Sequence, residues 1–481
     1  MSNSESLWSQ STQIPRREKL TRDISADVVV IGAGMAGVLI ADRLKRRGVD
    51  AVVLEASRIG SGQTKNTTAK ITSQHGMLYH ALVERFGRER AQQYASANQQ
   101  AIREYEALIH ERGIDCDFKE VSACLYSKSD ADALHREAEA AASLGIDASF
   151  ADETALPFPV AGAVRFAGQA QFDPLKFLRA VSEGLAVYEG SPVISVDERE
   201  VRTRDAAVRA EHIVFACHYP FVNVPGWYFM RMHQERSYVL ALQANWQPED
   251  VYYGVDENGL SFRAADGLLL LGGENHRTGE NSAGGRYEAL LERARALFPG
   301  CREVARWSAQ DCMTLDGIPY IGPFAASRPG WHVATGFGKW GMTSAMVAAM
   351  RIADGIAGKE PDWAEVFSPS RFELSVSAGK LATETAQAVK GLAREVFVPP
   401  QTVLDDLPVG HGGIVEADGH KAGVYKDENG TCHTVNPRCP HLGCQLEWNP
   451  DEKSWDCPCH GSRFSFDGQL IDNPAQENLT K

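Results

Sequence analysis

The chain has 481 residues, 43% hydrophobic and 23% charged, which is the balance of folded globular domains and more length than one small core requires. Its formal net charge of −14 argues against a nucleic-acid binder or a binder of anionic membranes, since both need a basic face. The longest apolar run, Val28 to Ala41, spans 14 residues and is broken by three glycines, short of the roughly 20 that cross a bilayer. Arg16-Arg17 is followed by EKLTRD rather than by the apolar stretch of an export signal. A cytoplasmic protein without a membrane span is expected.

Residues 1–24 are polar and aperiodic, which predicts a loose N-terminal arm. ADVVVIGAGMAGVLIADRLKRRGVDAVVLEAS then reads as strand, glycine turn, helix and strand, closing at Glu55. Helices are predicted over 77–112 and 129–145, with FKEVSACLYS between them as a strand pair. From 185 to 275 short apolar segments alternate with turns, predicting mostly β-structure. A further helix is expected at 284–298, then the strand WHVATGFG and a helix from Met342 to Ile356. Residues 372–396 read as an amphipathic spacer or tether helix closed by Pro399-Pro400. Beyond about 398 the texture changes to short strands and turns, marking a domain boundary.

Gly32, Gly34 and Gly37 form G-x-G-x-x-G between a strand and a helix. The first suits the tight turn, the second lets a pyrophosphate approach the backbone, and the third lets helix and strand pack closely. Phosphate charge would meet the positive end of the helix dipole. Glu55, 23 residues after Gly32, can accept hydrogen bonds from ribose hydroxyls. A dinucleotide site follows.

The segment SRIGSGQTKNTTAK, then Pro192-Val193, IVFACH, LDGIPYIGP and ATGFGKWGMTSAMVAAMRIADGI resembles the D-amino-acid-oxidase-like, or glycine-oxidase-like, FAD family over about residues 25–360. The resemblance implies an α/β, Rossmann-type FAD-binding domain with an inserted α+β substrate domain. It implies cofactor contacts at Gly32, Ala33, Gly34, Met35, Ala36, Gly37, Glu55, Ala56, Thr68, Ala69, Val193, Ala216, Gly338, Lys339, Gly341 and Met342. Where the family often has a carboxylate-binding arginine in the last glycine loop, this chain has Lys339. It is the candidate catalytic residue, for anion binding or oxygen reactivity, and a solvated loop lysine is the alternative.

Five of the ten cysteines fall between Cys432 and Cys459, a density that favours a metal over a disulfide framework in a reducing compartment. Cys439-x-His441 and Cys457-x-x-His460 can put two thiolates on one iron and two imidazoles on the other, giving a Rieske [2Fe–2S] centre. Zinc is the alternative for a Cys2His2 set, although zinc fingers pair like ligand with like. CPHLGC and CPCHGS resemble cytochrome-bc-type Rieske domains over about residues 400–481. That resemblance implies a small all-β fold, a Cys444–Cys459 disulfide, a hydroxyl from Ser462 to the cluster, and a missing hydrogen bond at Phe464, where the family has tyrosine. One bond fewer to sulfur should lower the reduction potential toward mid-range.

The expected division is an arm at 1–24, a flavoprotein at 25–365 with insertions at 76–185 and 220–310, a helical linker at 366–397, and a Rieske domain at 398–481. The expected activity is oxidation of a small amine or amino acid at FAD, with electrons passing singly to an external acceptor through His441 and His460. The alternative is an electron-transfer reductase that feeds a partner enzyme, although no second G-x-G-x-x-G marks an NAD(P)H domain. His75, His80 and His218 read as packing or hydrogen-bonding residues.

Overall fold

The computed structural model describes residues 5–371, 402–403, 406–417 and 420–480. The expected helix over 372–396 lies outside them.

Alternating apolar runs and glycine turns build a sheet whose central path runs Tyr320–Pro323, Trp331–Thr335, Ala207–Phe215, Ile24–Ile31, Ala51–Leu54, Ala186–Tyr188. Ile24–Ile31 pairs in parallel with Ala207–Phe215 on one side and Ala51–Leu54 on the other. Helix Met35–Arg46 follows the first strand directly and packs on helix Gly341–Ile356. The close approach needs Gly37: a Cβ there would fall 1.9 Å from the Gly32 carbonyl oxygen.

A second, nine-stranded sheet among the described residues takes strands from 119–171 and 232–314, with the two-residue strand Lys70–Ile71 at one edge. FKEVSACLYS is one strand, Lys119–Ser127, and not a pair. It runs antiparallel to Gly162–Gln171 and parallel to Val251–Gly254, so both edges are satisfied without a turn inside it. The predicted helices appear at Tyr79–Arg112, Ala131–Ser143, Arg286–Leu297 and Gly341–Ile356. Gly87, at φ 80°, interrupts the first.

The described part of the N-terminal arm is packed, not loose. Ser6 caps helix Leu7–Ser11, and Trp8 is 1% exposed with its indole N–H donating to the Thr67 carbonyl at 2.7 Å. Polar composition hid three anchors, Trp8, Ile14 and Leu20, whose burial holds the segment down.

The C-terminal module consists of two four-stranded sheets around Trp448, Trp455, Phe464 and the cysteines 439, 444, 457 and 459. It is docked on the body formed by the two larger sheets. Glu452 pairs with Arg236, Asn281 donates to Asn449 and Asp451 at 3.0 and 2.8 Å, and Gln63 donates to Asp472 at 3.0 Å. Gly279, at φ 78°, admits the loop at Pro458, whose nitrogen would lie 2.5 Å from a Cβ. Among the described residues, no helix is long and apolar enough to cross a membrane.

Candidate functional site: a dinucleotide cavity beside a cysteine–histidine centre

A cavity of about 630 Å³ opens at the carboxyl ends of the parallel strands, where open α/β sheets bind ligands. Gly32, Gly34, Met35, Ala36, Glu55, Ala56, Val193, Ala216, Gly338, Lys339, Gly341 and Met342 line it. Ala33, also expected as a contact, does not line it: it is fully buried and its N–H donates to Glu55 Oε2 at 2.8 Å, while the Ser57 N–H donates to Oε1 at 2.8 Å. Burial raises the Glu55 pKa, and these backbone donors oppose the rise. At the helix start the Met35 N–H donates to Thr64 Oγ1 at 2.9 Å.

Three more expected contacts sit elsewhere. Gly37 lies beneath the turn as a packing residue. Thr68 lines a smaller neighbouring cavity. Ala69 lines neither: it is fully buried at φ 52°, and its carbonyl accepts from Arg263 at 2.7 Å. A cavity of this volume that takes in the glycine turn, the start of helix Met35–Arg46 and the buried Glu55 carboxylate fits a dinucleotide.

The smaller cavity, about 90 Å³, shares Thr67, Ala309, Asp311, Lys339, Gly341 and Met342 with the larger one. Trp340 and Tyr253 form part of its wall, their rings 5.3 Å apart. Lys339 is not a solvated loop residue. Its Nζ meets Ser237 Oγ at 3.0 Å, Asp311 at 3.1 Å and Glu235 at 3.3 Å. Burial pulls the Lys339 pKa down, but the two carboxylates outweigh it and raise it. Two carboxylates therefore already balance this one cation.

Lys70, missed in the sequence, makes no ion pair with a carboxylate among the described residues. Its Nζ donates to Ser261 Oγ at 3.1 Å, and its accessible surface faces the small cavity. Desolvation and the neighbouring Arg263 bring its pKa down to about 7. A lone lysine in TAKIT carries no sequence signal of this.

His75 is a structural hydrogen-bonding residue, with Nδ1 2.6 Å from the Tyr94 hydroxyl and Nε2 2.7 Å from the Thr72 carbonyl.

In the C-terminal module, Cys439 and Cys457 are joined by a hydrogen bond, and the rings of His441 and His460 lie side by side. The imidazole centroids lie 4.9 Å apart at 90°. Burial brings the imidazole pKa values down to about 4 for His441 and about 3 for His460, which keeps the neutral form that ligates metals. Nδ1 of each ring is buried without a partner, and buried polar atoms are seldom left so. The Cys439 thiol is held below its ordinary range, first by its hydrogen bond with Cys457 and also by Ser462, while Cys457 is raised. Two orphaned imidazole nitrogens and a hydrogen-bonded pair of buried thiols in one small module are the donor types of a 2-Cys, 2-His iron–sulfur centre.

Cys444 and Cys459 form a disulfide, and both sulfurs lie within 4.8 Å of Cys457 Sγ. Ser462 Oγ also accepts the Ala475 N–H at 3.0 Å. Phe464 is fully buried in strand Arg463–Ser465.

The two imidazoles were both expected at an exposed exit, and neither is exposed. His441 is half-buried, with Nε2 2.8 Å from Asn223 Oδ1. His460 is 5% exposed and turned toward the larger body. Its carbonyl accepts from Gln234 Nε2 at 2.7 Å. Gln234 Oε1 in turn lies 3.0 Å from His218 Nε2 and accepts from Gln310 at 2.6 Å. His218 and Gln310 both line the dinucleotide cavity. The C-terminal module completes that cavity with residues 470–473, 475 and 476, and Asn473 Nδ2 donates to the carbonyls of Cys217 and Tyr219 at 2.9 and 2.5 Å.

Residues 27–355 match the DAO family, FAD dependent oxidoreductase, and residues 401–481 match the Rieske [2Fe-2S] domain. The Bacillus subtilis (strain 168) protein YhfW, named as a Rieske 2Fe-2S iron-sulfur protein, is 36% identical over 493 aligned residues, covering 99% of this chain and 97% of its own. Glycine oxidase from Geobacillus kaustophilus has the same fold, at TM-score 0.60 and 22% identity over 73% of this chain and 99% of its own. Cytochrome b6-f complex iron-sulfur subunit 3 of Nostoc sp. is 30% identical over 89 residues, 18% of this chain and 50% of its own. The chain thus belongs to the DAO family of FAD-dependent oxidoreductases and carries a Rieske [2Fe–2S] domain on its C-terminal side.

Proposed function

We propose that the protein dehydrogenates a small amine or amino acid beside a bound FAD and passes the electrons singly through a centre held by Cys439, His441, Cys457 and His460 to an external acceptor. FAD supplies two-electron oxidation of the substrate, and the diiron centre supplies one-electron steps. The observation that carries this reading is the short route from cavity to centre: His218 in the cavity wall, Gln234, and the His460 carbonyl, in two hydrogen bonds of 3.0 and 2.7 Å.

The protein's own groups also support a small substrate with two polar ends. Lys70, which makes no ion pair among the described residues, can hold an anionic end of the substrate. Asp311 and Glu235, with Lys339 between them, carry one negative charge in excess and can orient an amine. Trp340 and Tyr253 narrow the cavity and exclude water. A volume of about 90 Å³ favours a substrate of a few heavy atoms.

Anaerobic mixing of the loaded protein with a panel of amines and amino acids tests the reading. Flavin bleaching followed by the paramagnetic signal of a reduced cluster is expected. Reduction by NADH alone, with every amine inert, would favour the reductase alternative instead.

A further inference from the structure

Eight large apolar side chains remain exposed among the described residues, and their placement is uneven. Ile194 and Ile471 rim the dinucleotide cavity. Four others, Val224, Trp227, Met230 and Leu442, are 41–58% exposed, and each is a chain neighbour of His441 or is tied to a residue that contacts it. Leu442 follows His441 in the chain. Val224 follows Asn223, whose Oδ1 holds His441 Nε2 at 2.8 Å. Met230 follows Phe229, whose ring meets those of His441 and His460 at 6.4 and 5.7 Å, and Trp227 lies 5.8 Å from the same Phe229 ring.

The patch continues the interface between the two domains, since segment 219–230 is the flavoprotein wall against which the histidine loops already pack. That segment, YPFVNVPGWYFM, holds no charged residue, in a chain that is 23% charged. Exposed apolar clusters ringed by polar surface mark docking sites. One without charge is suited to a partner whose own contact face is apolar. An anionic membrane is disfavoured by the net charge of −14.

Resting on the function proposed above, we infer that Val224, Trp227, Met230 and Leu442 form the docking surface for a soluble one-electron carrier protein whose cofactor edge lies in an apolar face. His460 is then the receiving side of the centre and His441 the delivering side. In each transfer one electron leaves the reduced diiron site and one ferric iron of the carrier becomes ferrous, with no bond made or broken. Redox encounters of this kind use small interfaces, which a four-residue patch can seed.

The test uses the full-length protein loaded with FAD and iron, reduced anaerobically by light and a deazaflavin, then mixed with a soluble c-type cytochrome or with ferricyanide. Trp227→Asn and Leu442→Ser each should slow cytochrome reduction about tenfold, equivalent to about 1.4 kcal/mol of lost transition-state contact, while the ferricyanide rate and the cluster spectrum stay unchanged. Cytochrome rates that ignore both substitutions overturn the inference. So does a wild-type protein that reduces ferricyanide but not the cytochrome, or one that floats with quinone-loaded phosphatidylcholine vesicles through this patch. Failure of the cluster signal to disappear with ferricyanide would instead overturn the underlying functional reading.

Discussion

The imidazole of His441 donates its Nε2 proton to Oδ1 of Asn223, 218 residues away in the chain, at 2.8 Å. The bond fixes the ring proton on one nitrogen and leaves Nδ1 free for metal, as outer partners of ligating histidines do. It also makes the imidazole a better electron donor, which favours the oxidised centre.

Asn223→Leu removes that acceptor and should raise the cluster potential. One hydrogen bond of about 1 kcal/mol corresponds to about 40 mV for a one-electron couple. A redox titration followed by electron paramagnetic resonance reads it, and an unchanged or lowered potential contradicts the assignment.

Gln234→Leu should slow electron passage from flavin to cluster while leaving both spectra intact. The substitution strips donors from the His460 and Asn473 carbonyls and leaves buried groups unsatisfied, costing about 1–3 kcal/mol. Stopped-flow absorbance during anaerobic reduction separates the two cofactors. Equal rates in both proteins would rule out Gln234 as part of the route.

Lys70→Met should weaken binding of carboxylate-bearing substrates or inhibitors roughly 10- to 100-fold, the range lost with a hydrogen bond to a charged group, without weakening FAD. The same amine predicts a pH effect. With its pKa down to about 7 in the fold against the ordinary value near 10.4, the folded chain binds fewer protons than the unfolded chain between these values. Stability from this group therefore rises with pH across that window. Its destabilising effect is complete below about 7, so Lys70→Met should raise Tm more at pH 6 than at pH 10. Carboxylate binding by the wild type should weaken as pH climbs through about 7. A flat profile for both would remove Lys70 from the site.

Replacing Cys444 and Cys459 together by serine opens a link between residues 15 apart in sequence, worth about 3 kcal/mol in the loop-entropy account. The expected result is a protein that still acquires its cluster but loses it faster at elevated temperature, read from the decay of visible absorbance. Indistinguishable decay would mean that packing alone holds the two loops.

Local motifs were legible because their chemistry is local. The glycine turn, Glu55 and the paired cysteine–histidine loops each carry their function within a few dozen residues. Lys339 was noticed for its position, but its two balancing carboxylates come from strands Met232–Gln243 and Arg302–Thr314 and could not be read beside it. Gln234, Asn223 and Lys70 gave no signal. Each is an ordinary polar side chain in its own segment, and its significance arises only when the C-terminal module closes on the body or a strand edge meets a cavity. The buried arm was missed for the opposite reason, because three apolar anchors among polar neighbours leave no period to detect.

Residues 470–473, 475 and 476 belong to the C-terminal module yet wall the dinucleotide cavity. Occupancy of that cavity and seating of the module are therefore linked equilibria: whatever binds preferentially to the closed arrangement stabilises it, and an open arrangement holds the same cofactor less tightly.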